Sequence, residues 1–128
     1  MFDKPRPAER KLSKQTEIFG SKEHRDVALE AVRKSLVMLK NDDALLPLEK
    51  STRILVAGKN ANNRGHQCGG FTVNWQGAIS NEEIVGGQSI WEGIQTLAPS
   101  AVLSDNLEGN EANPDQHDVA IVVIGETP

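Results

Sequence analysis

Between residues 22 and 40 the apolar positions Val27, Ala28, Ala31, Val32, Leu36, Val37 and Leu39 recur three and four residues apart. Arg25, Asp26, Glu30, Arg33 and Lys34 fill the positions between them. This period predicts an amphipathic helix from Lys22 to about Lys40 with one buried stripe. Ser21 suits its N-cap and Glu23 its first turn, and Asn41-Asp42-Asp43 with Pro47 ends it. The pattern then changes. Arg53-Ile54-Leu55-Val56-Ala57-Gly58 is a continuous apolar run closed by glycine, which predicts a strand buried on both faces. Ile90, Trp91, Ile94 and Leu97 return to helical spacing over Ser89–Leu97, and Pro99 stops them. Ala101-Val102-Leu103 predicts a short strand. Asp118 to Glu126 holds the most hydrophobic run of the chain and reads as a central strand.

The segments between are polar. Residues 1–20 carry Pro5 and Pro7 among charged side chains and read as an extended linker or arm. Residues 59–88 form a long glycine- and asparagine-rich stretch, a length that in a compact domain points to function. Residues 105–116, with Asp105, Glu108, Glu111 and Asp115, read as a solvated loop. Strand, loop, helix, strand and a further strand predict parallel βαβ units. A central parallel strand needs a helix on its face, and none follows residues 118–126. The expectation is therefore an α/β fold: an incomplete three-layer sandwich with a parallel sheet core over residues 21–128, preceded by the 1–20 arm.

Composition narrows the functional classes. The chain has 128 residues, 38% hydrophobic and 25% charged, with a net charge of −4. That balance fits one globular domain and argues against a nucleic-acid partner, which would call for a basic face. No apolar run approaches the roughly 20 residues of a membrane-spanning helix. Residues 1–11 lack the apolar stretch of a signal peptide. Cys68 is the single cysteine, which excludes an internal disulfide.

Functional groups in open α/β sheets gather at the carboxyl ends of strands, here after Gly58 and after Gly125. Gly58-Lys59-Asn60-Ala61-Asn62-Asn63 has neither Walker nor dinucleotide spacing; a plain turn with asparagines in left-handed conformation explains it equally well. In Cys68-Gly69-Gly70-Phe71-Thr72-Val73-Asn74-Trp75-Gln76-Gly77, two aromatic rings four residues apart sit among amide and hydroxyl groups. Such a set suits a sugar, whose CH face stacks on a ring while amides bind its hydroxyls; a ring packed under the loop is the plainer alternative. His66 and Cys68 lack the further ligands a metal needs, and Cys68 reads as a small buried hydrophobe. Glu126 ends its strand as an acid, an orienting acceptor or a mere strand-end charge. Trp91, on the helix stripe, reads as core.

Taken together, these segments resemble glycoside hydrolase family 3. The resemblance rests on Arg33 to Asn41 with Leu45-Leu46-Pro47-Leu48, and on Val56 to Asn63. Gln67-Cys68-Gly69-Gly70-Phe71 with Trp75-Gln76-Gly77 is similar to the β-glucosidase and exo-β-glucanase branch, as is Ile124-Gly125-Glu126-Thr127-Pro128. It implies about the first half of the family's C-terminal α/β-sandwich domain. It also implies a retaining hydrolase of terminal β-D-glucosyl residues, acting on a β-glucoside or β-glucan oligosaccharide, with no metal or organic cofactor. The partner domain is an N-terminal (β/α)-barrel that carries the nucleophile. Two carboxylates about 5 Å apart perform the reaction.

By the resemblance, Trp75 matches an aromatic that stacks on the leaving-group sugar, and Phe71 stands where relatives often have tryptophan. Asn60, Asn62, Asn63, Cys68, Gly69, Gly70 and Glu126 become pocket support. Glu126 matches a strand-end glutamate distinct from the acid/base, which in relatives follows a few residues later, after a tyrosine. The expectation is thus a pocket wall without either catalytic carboxylate and inactive by itself. Family habit puts the parent enzyme in the periplasm or outside the cell. A stand-alone carbohydrate-binding module, or a degenerate remnant, is the alternative; a nucleotide-binding domain lacks its glycine fingerprint. The apolar strand 119–124 leaves an open sheet, through which dimerisation is expected.

Overall fold

The computed structural model of the chain describes residues 4–128 except 105, 107 and 111. The backbone divides into two compact units, residues 1–45 and 46–128.

In the first unit, helix α1 spans Lys22–Ser35. The Ser21 hydroxyl accepts the His24 N–H at 3.4 Å, as its N-cap role requires. The helix ends five residues before the expected Lys40, because Leu36 turns to extended φ/ψ. Two i,i+4 pairs, Lys22–Asp26 and Glu30–Lys34, support its polar side. Within this unit the expected burial of its stripe does not occur: α1 has no buried residue, and Val32 is 58% exposed. Among the described residues, the rest of this unit offers 3₁₀ turns and no second apolar layer to pack against. Those turns also correct the extended arm, since Pro7–Glu9, Lys11–Lys14 and Thr16–Ile18 each wind up locally. Glu9 N–H, for instance, donates to Arg6 O at 2.8 Å. Residues 1–3 of the arm lie outside the described residues.

The second unit carries a three-stranded parallel sheet in the order β2-β1-β3. Strand β1 is Ile54–Ala57, β2 is Val102–Leu103 and β3 is Val119–Val122. All four β1 residues are buried, with Val56 at 0% exposure. Ile54 and Val56 join Ala61, Ala98 and Ala101 in the core, covered by Trp91 and Ile94 of helix α3, Ile90–Leu97. On the opposite side, Gly109 approaches Ala57 and the 112–120 stretch approaches Leu55. The expected two-sided burial of β1 therefore holds, as does the core role of Trp91.

Within the described sheet, the strand with neighbours on both sides is β1. Strand β3 pairs on one side with β1, Ile54 against Val119 through Ala57 against Val122, and is an edge of the described sheet. Side chains alternate along β3 and the two residues after it: Ile121 and Val123 pack on the core, while Val122 and Ile124 stand out, Ile124 at 84% exposure. Uniform hydrophobicity reports how much a strand can bury, not how many neighbours it has.

Helix α3 is set by a capping box. The Ser89 hydroxyl accepts Glu92 N–H at 3.1 Å, and the Glu92 carboxylate accepts Ser89 N–H at 2.6 Å. These contacts hold the Glu92 carboxyl below its ordinary range. No helix among the described residues is long and apolar enough to cross a membrane.

Candidate functional site: a hollow lined by an aromatic loop and Glu126

Two segments leave the carboxyl ends of β1 and β3 and meet. The first is not one uninterrupted loop as expected, because a helical turn, α2, forms at Arg64–Cys68. Its cap is Asn63, whose side-chain oxygen accepts His66 N–H at 2.9 Å while its amide donates to Ile79 O at 2.8 Å. Asn62 accepts the Ser89 hydroxyl at 2.8 Å, binding the segment to the start of α3. Asn60 is 5% exposed, and its side chain lies against Gly125. None of the three takes the left-handed conformation that a plain asparagine turn would use; after β1 that falls to Gly58.

Beyond α2 the chain makes a tight excursion. Thr72 Oγ1 donates to Cys68 O at 3.1 Å, Asn74 N–H to Thr72 O at 2.8 Å, and Phe71 N–H to Trp75 O at 3.3 Å. The two-residue spacing of the Asn74–Thr72 bond, with Val73 at φ +68°, marks a γ-turn. A β-branched residue there is strained by about 1–3 kcal/mol. Phe71, at φ +59°, is also left-handed. The turn brings the Phe71 and Trp75 rings together, centroids 5.1 Å apart and planes tilted by 55°. Both rings face solvent, at 78% and 74% exposure. Neither ring packs beneath the loop, which removes that alternative.

Trp75, Gly69, Gly70 and Gln76 form one wall of a hollow of about 430 Å³, and Glu126, Thr127 and Pro128 form the other. Gly77 joins the walls: at φ +86°, a Cβ there would stand 2.6 Å from Gly69 O and 2.7 Å from Pro128 Cβ, so only glycine fits. Glu126 supplies the single charged group of this lining. One apolar indole face, one carboxylate and one primary amide around an open glycine-walled hollow suit a neutral polyhydroxylated ligand.

Of the residues expected at a site, Trp75, Gly69, Gly70 and Glu126 line the hollow, and Phe71 adjoins it through Trp75. Asn60, Asn62 and Asn63 are framework below it. Cys68 is exposed, not the buried hydrophobe expected, because it ends α2 where the chain turns outward. Gln76, Thr127 and Pro128 also enter the lining; they stood in the segments that carry the resemblance but were not among the expected site residues. Asp105 and Glu111 of the expected acidic loop lie outside the described residues. Among the described residues, no group of three or more His, Cys, Asp or Glu side chains is arranged to hold a metal ion.

Residues 36–128 match the glycosyl hydrolase family 3 C-terminal domain. The chain belongs to glycosyl hydrolase family 3. Among solved structures, it is similar to the exo-1,3/1,4-β-glucanase of a Pseudoalteromonas species, at 43% identity and a TM-score of 0.79. That match covers 99% of this chain and 16% of the glucanase. The lysosomal beta glucosidase of Dictyostelium discoideum is 28% identical over 127 residues, covering 85% of this chain and 16% of that protein. A beta-xylosidase of Formosa agariphila is 41% identical over 66 residues, 50% of this chain and 9% of its own length. This family 3 chain thus spans about one-sixth of the first two proteins. The parallel sheet agrees with the family's C-terminal α/β domain.

Proposed function

We propose that this chain serves as a substrate-pocket wall of a retaining β-glucosidase or exo-β-glucanase that removes terminal β-D-glucosyl residues. The observation that carries this reading is the hollow that Trp75 and Glu126 line together. The indole stacks on the sugar of the leaving group, while Glu126 and Gln76 bind its hydroxyls. The family relationship and the glucanase likeness support a β-glucan substrate.

In this reading, neither catalytic carboxylate belongs to residues 1–128. The nucleophile comes from an N-terminal (β/α)-barrel, and the acid/base lies beyond Pro128. Without such a pair, rates fall by several orders of magnitude. The 128-residue chain is therefore inactive alone, and the complete hydrolase that carries it is active. Both are assayed on an aryl β-glucoside, and the anomer first released is read by NMR. The expected result is β-glucose from the complete enzyme and no turnover above a boiled control from the chain. Turnover by the chain, or α-glucose as first product, overturns the reading.

A further inference from the structure

The segment that presents Glu126 is gripped on both sides of that residue by two consecutive side chains following β1. Strand pairing is already ending there: the last backbone bond between β1 and the β3 exit runs from Val123 N–H to Ala57 O at 2.8 Å. Past it, the exit is held by side chains. Asn60, only 5% exposed, fills the space against Gly125, where an added Cβ would collide with the Asn60 amide nitrogen. Among the described residues its buried side-chain oxygen has no hydrogen-bond partner, a cost that a residue chosen only for stability would not carry. Lys59 reaches over the same exit and donates from Nζ to Thr127 Oγ1 at 2.8 Å. Residues 125 and 127 are thereby fixed, and Glu126 between them has its backbone direction set toward the hollow. Thr127 itself lines that hollow, opposite Trp75.

We infer that Lys59 is a positioning residue: by tethering Thr127 across the β3 exit, with Asn60 seated on Gly125, it sets the Glu126–Pro128 wall at the distance from Trp75 that a leaving-group sugar requires. The ammonium touches no substrate; it acts through the wall it holds. This rests on the proposed function, since it assigns the wall to the sugar that departs.

The test compares a β-linked glucose disaccharide, whose leaving group is a sugar, with an aryl β-glucoside, whose leaving group is a flat ring. It uses the complete hydrolase as wild type and as Lys59→Met, Lys59→Arg, Thr127→Val and the double variant Lys59→Met/Thr127→Val. Lys59→Met is expected to raise KM for the disaccharide roughly threefold to tenfold, the net range of one ordinary hydrogen bond, with far less effect on the aryl glucoside. Thr127→Val should reproduce that selectivity change, the double variant should add nothing to it, and Lys59→Arg should restore it. Equal losses on both substrates, no loss, or additive effects of the two substitutions overturn the inference while leaving the proposed function intact. A wild-type enzyme inactive on both substrates overturns the proposed function, and the inference with it. Lys59 is exposed, so Lys59→Met should fold; if its melting curve shows otherwise, Thr127→Val alone decides by the same substrate ratio.

Discussion

Phe71 and Trp75 lie with ring centroids 5.1 Å apart and planes tilted by 55°, both rings open to solvent. Tilted aromatic pairs of this separation attract each other beyond their buried area, so Phe71 fixes the angle at which Trp75 faces the hollow. In the complete enzyme, Trp75→Ala is expected to raise KM for a glucose disaccharide about tenfold, equivalent to roughly 1.4 kcal/mol. Phe71→Ala should give a smaller rise by freeing the indole. In the chain alone, laminaribiose should cause no saturable quench of tryptophan fluorescence at millimolar concentration. A saturable quench would favour a stand-alone binding module.

Arg53 and Asp118 link the starts of β1 and β3. The Arg53 backbone N–H and its Nε each reach Asp118 Oδ2, at 2.9 and 3.1 Å, and Nη2 pairs with Oδ1. These donors pull the Asp118 carboxyl from 3.8 down to about 2. A depressed carboxylate stabilises the fold fully above its unfolded value and loses that contribution as pH falls through its folded value. The stability gap between wild type and Asp118→Asn is therefore expected to be constant above about pH 4 and to shrink between pH 4 and 2. Denaturant midpoints measured across that interval check it. A gap that persists unchanged at pH 2 rules it out.

Ser89 serves two structures at once. It caps α3 through Glu92 N–H and donates to Asn62, tying the helix to the segment beneath the aromatic loop. Ser89→Ala removes the cap and leaves Asn62 Oδ1 short of a donor. The expected cost is about 1–3 kcal/mol. Ser89→Thr, which keeps the hydroxyl, should lose far less. Thermal or urea unfolding distinguishes the two, and equal losses would mean that packing and not the hydroxyl is responsible.

The outer edge of β3 has no strand beside it among the described residues, and Val122 and Ile124 are exposed. Such an edge templates pairing with another chain. The isolated chain is expected to self-associate as concentration rises, and Val122→Lys/Ile124→Lys to reduce this. Light scattering across a concentration series measures both. A wild-type chain that stays monomeric contradicts the expectation.

Much of the fold and part of the site can be read from residue order alone. The four-residue apolar run 54–57 had to be buried on both sides, because nothing polar interrupts it. Ser89 followed three residues later by Glu92 marked the start of α3, because a capping box is local chemistry. Glycines around Phe71 and Trp75, and a glutamate closing the last apolar run, marked the two segments of the hollow. Each of these is settled within a few residues of chain.

What required the tertiary structure involves partners distant in sequence. Residue order could not say that β3 pairs with β1, because hydrophobicity does not choose partners. It could not show the α1 stripe exposed, since a helical period predicts a face but supplies nothing to cover it. The exposure of both aromatic rings depends on left-handed turns at Phe71 and Val73 that propensity disfavours. Lys59 lies 68 residues from Thr127, and only the parallel pairing of β1 with β3 brings the two together. Local chemistry thus determined the elements and the residue types at the site. The pairing of distant strands decided which of those residues face one another.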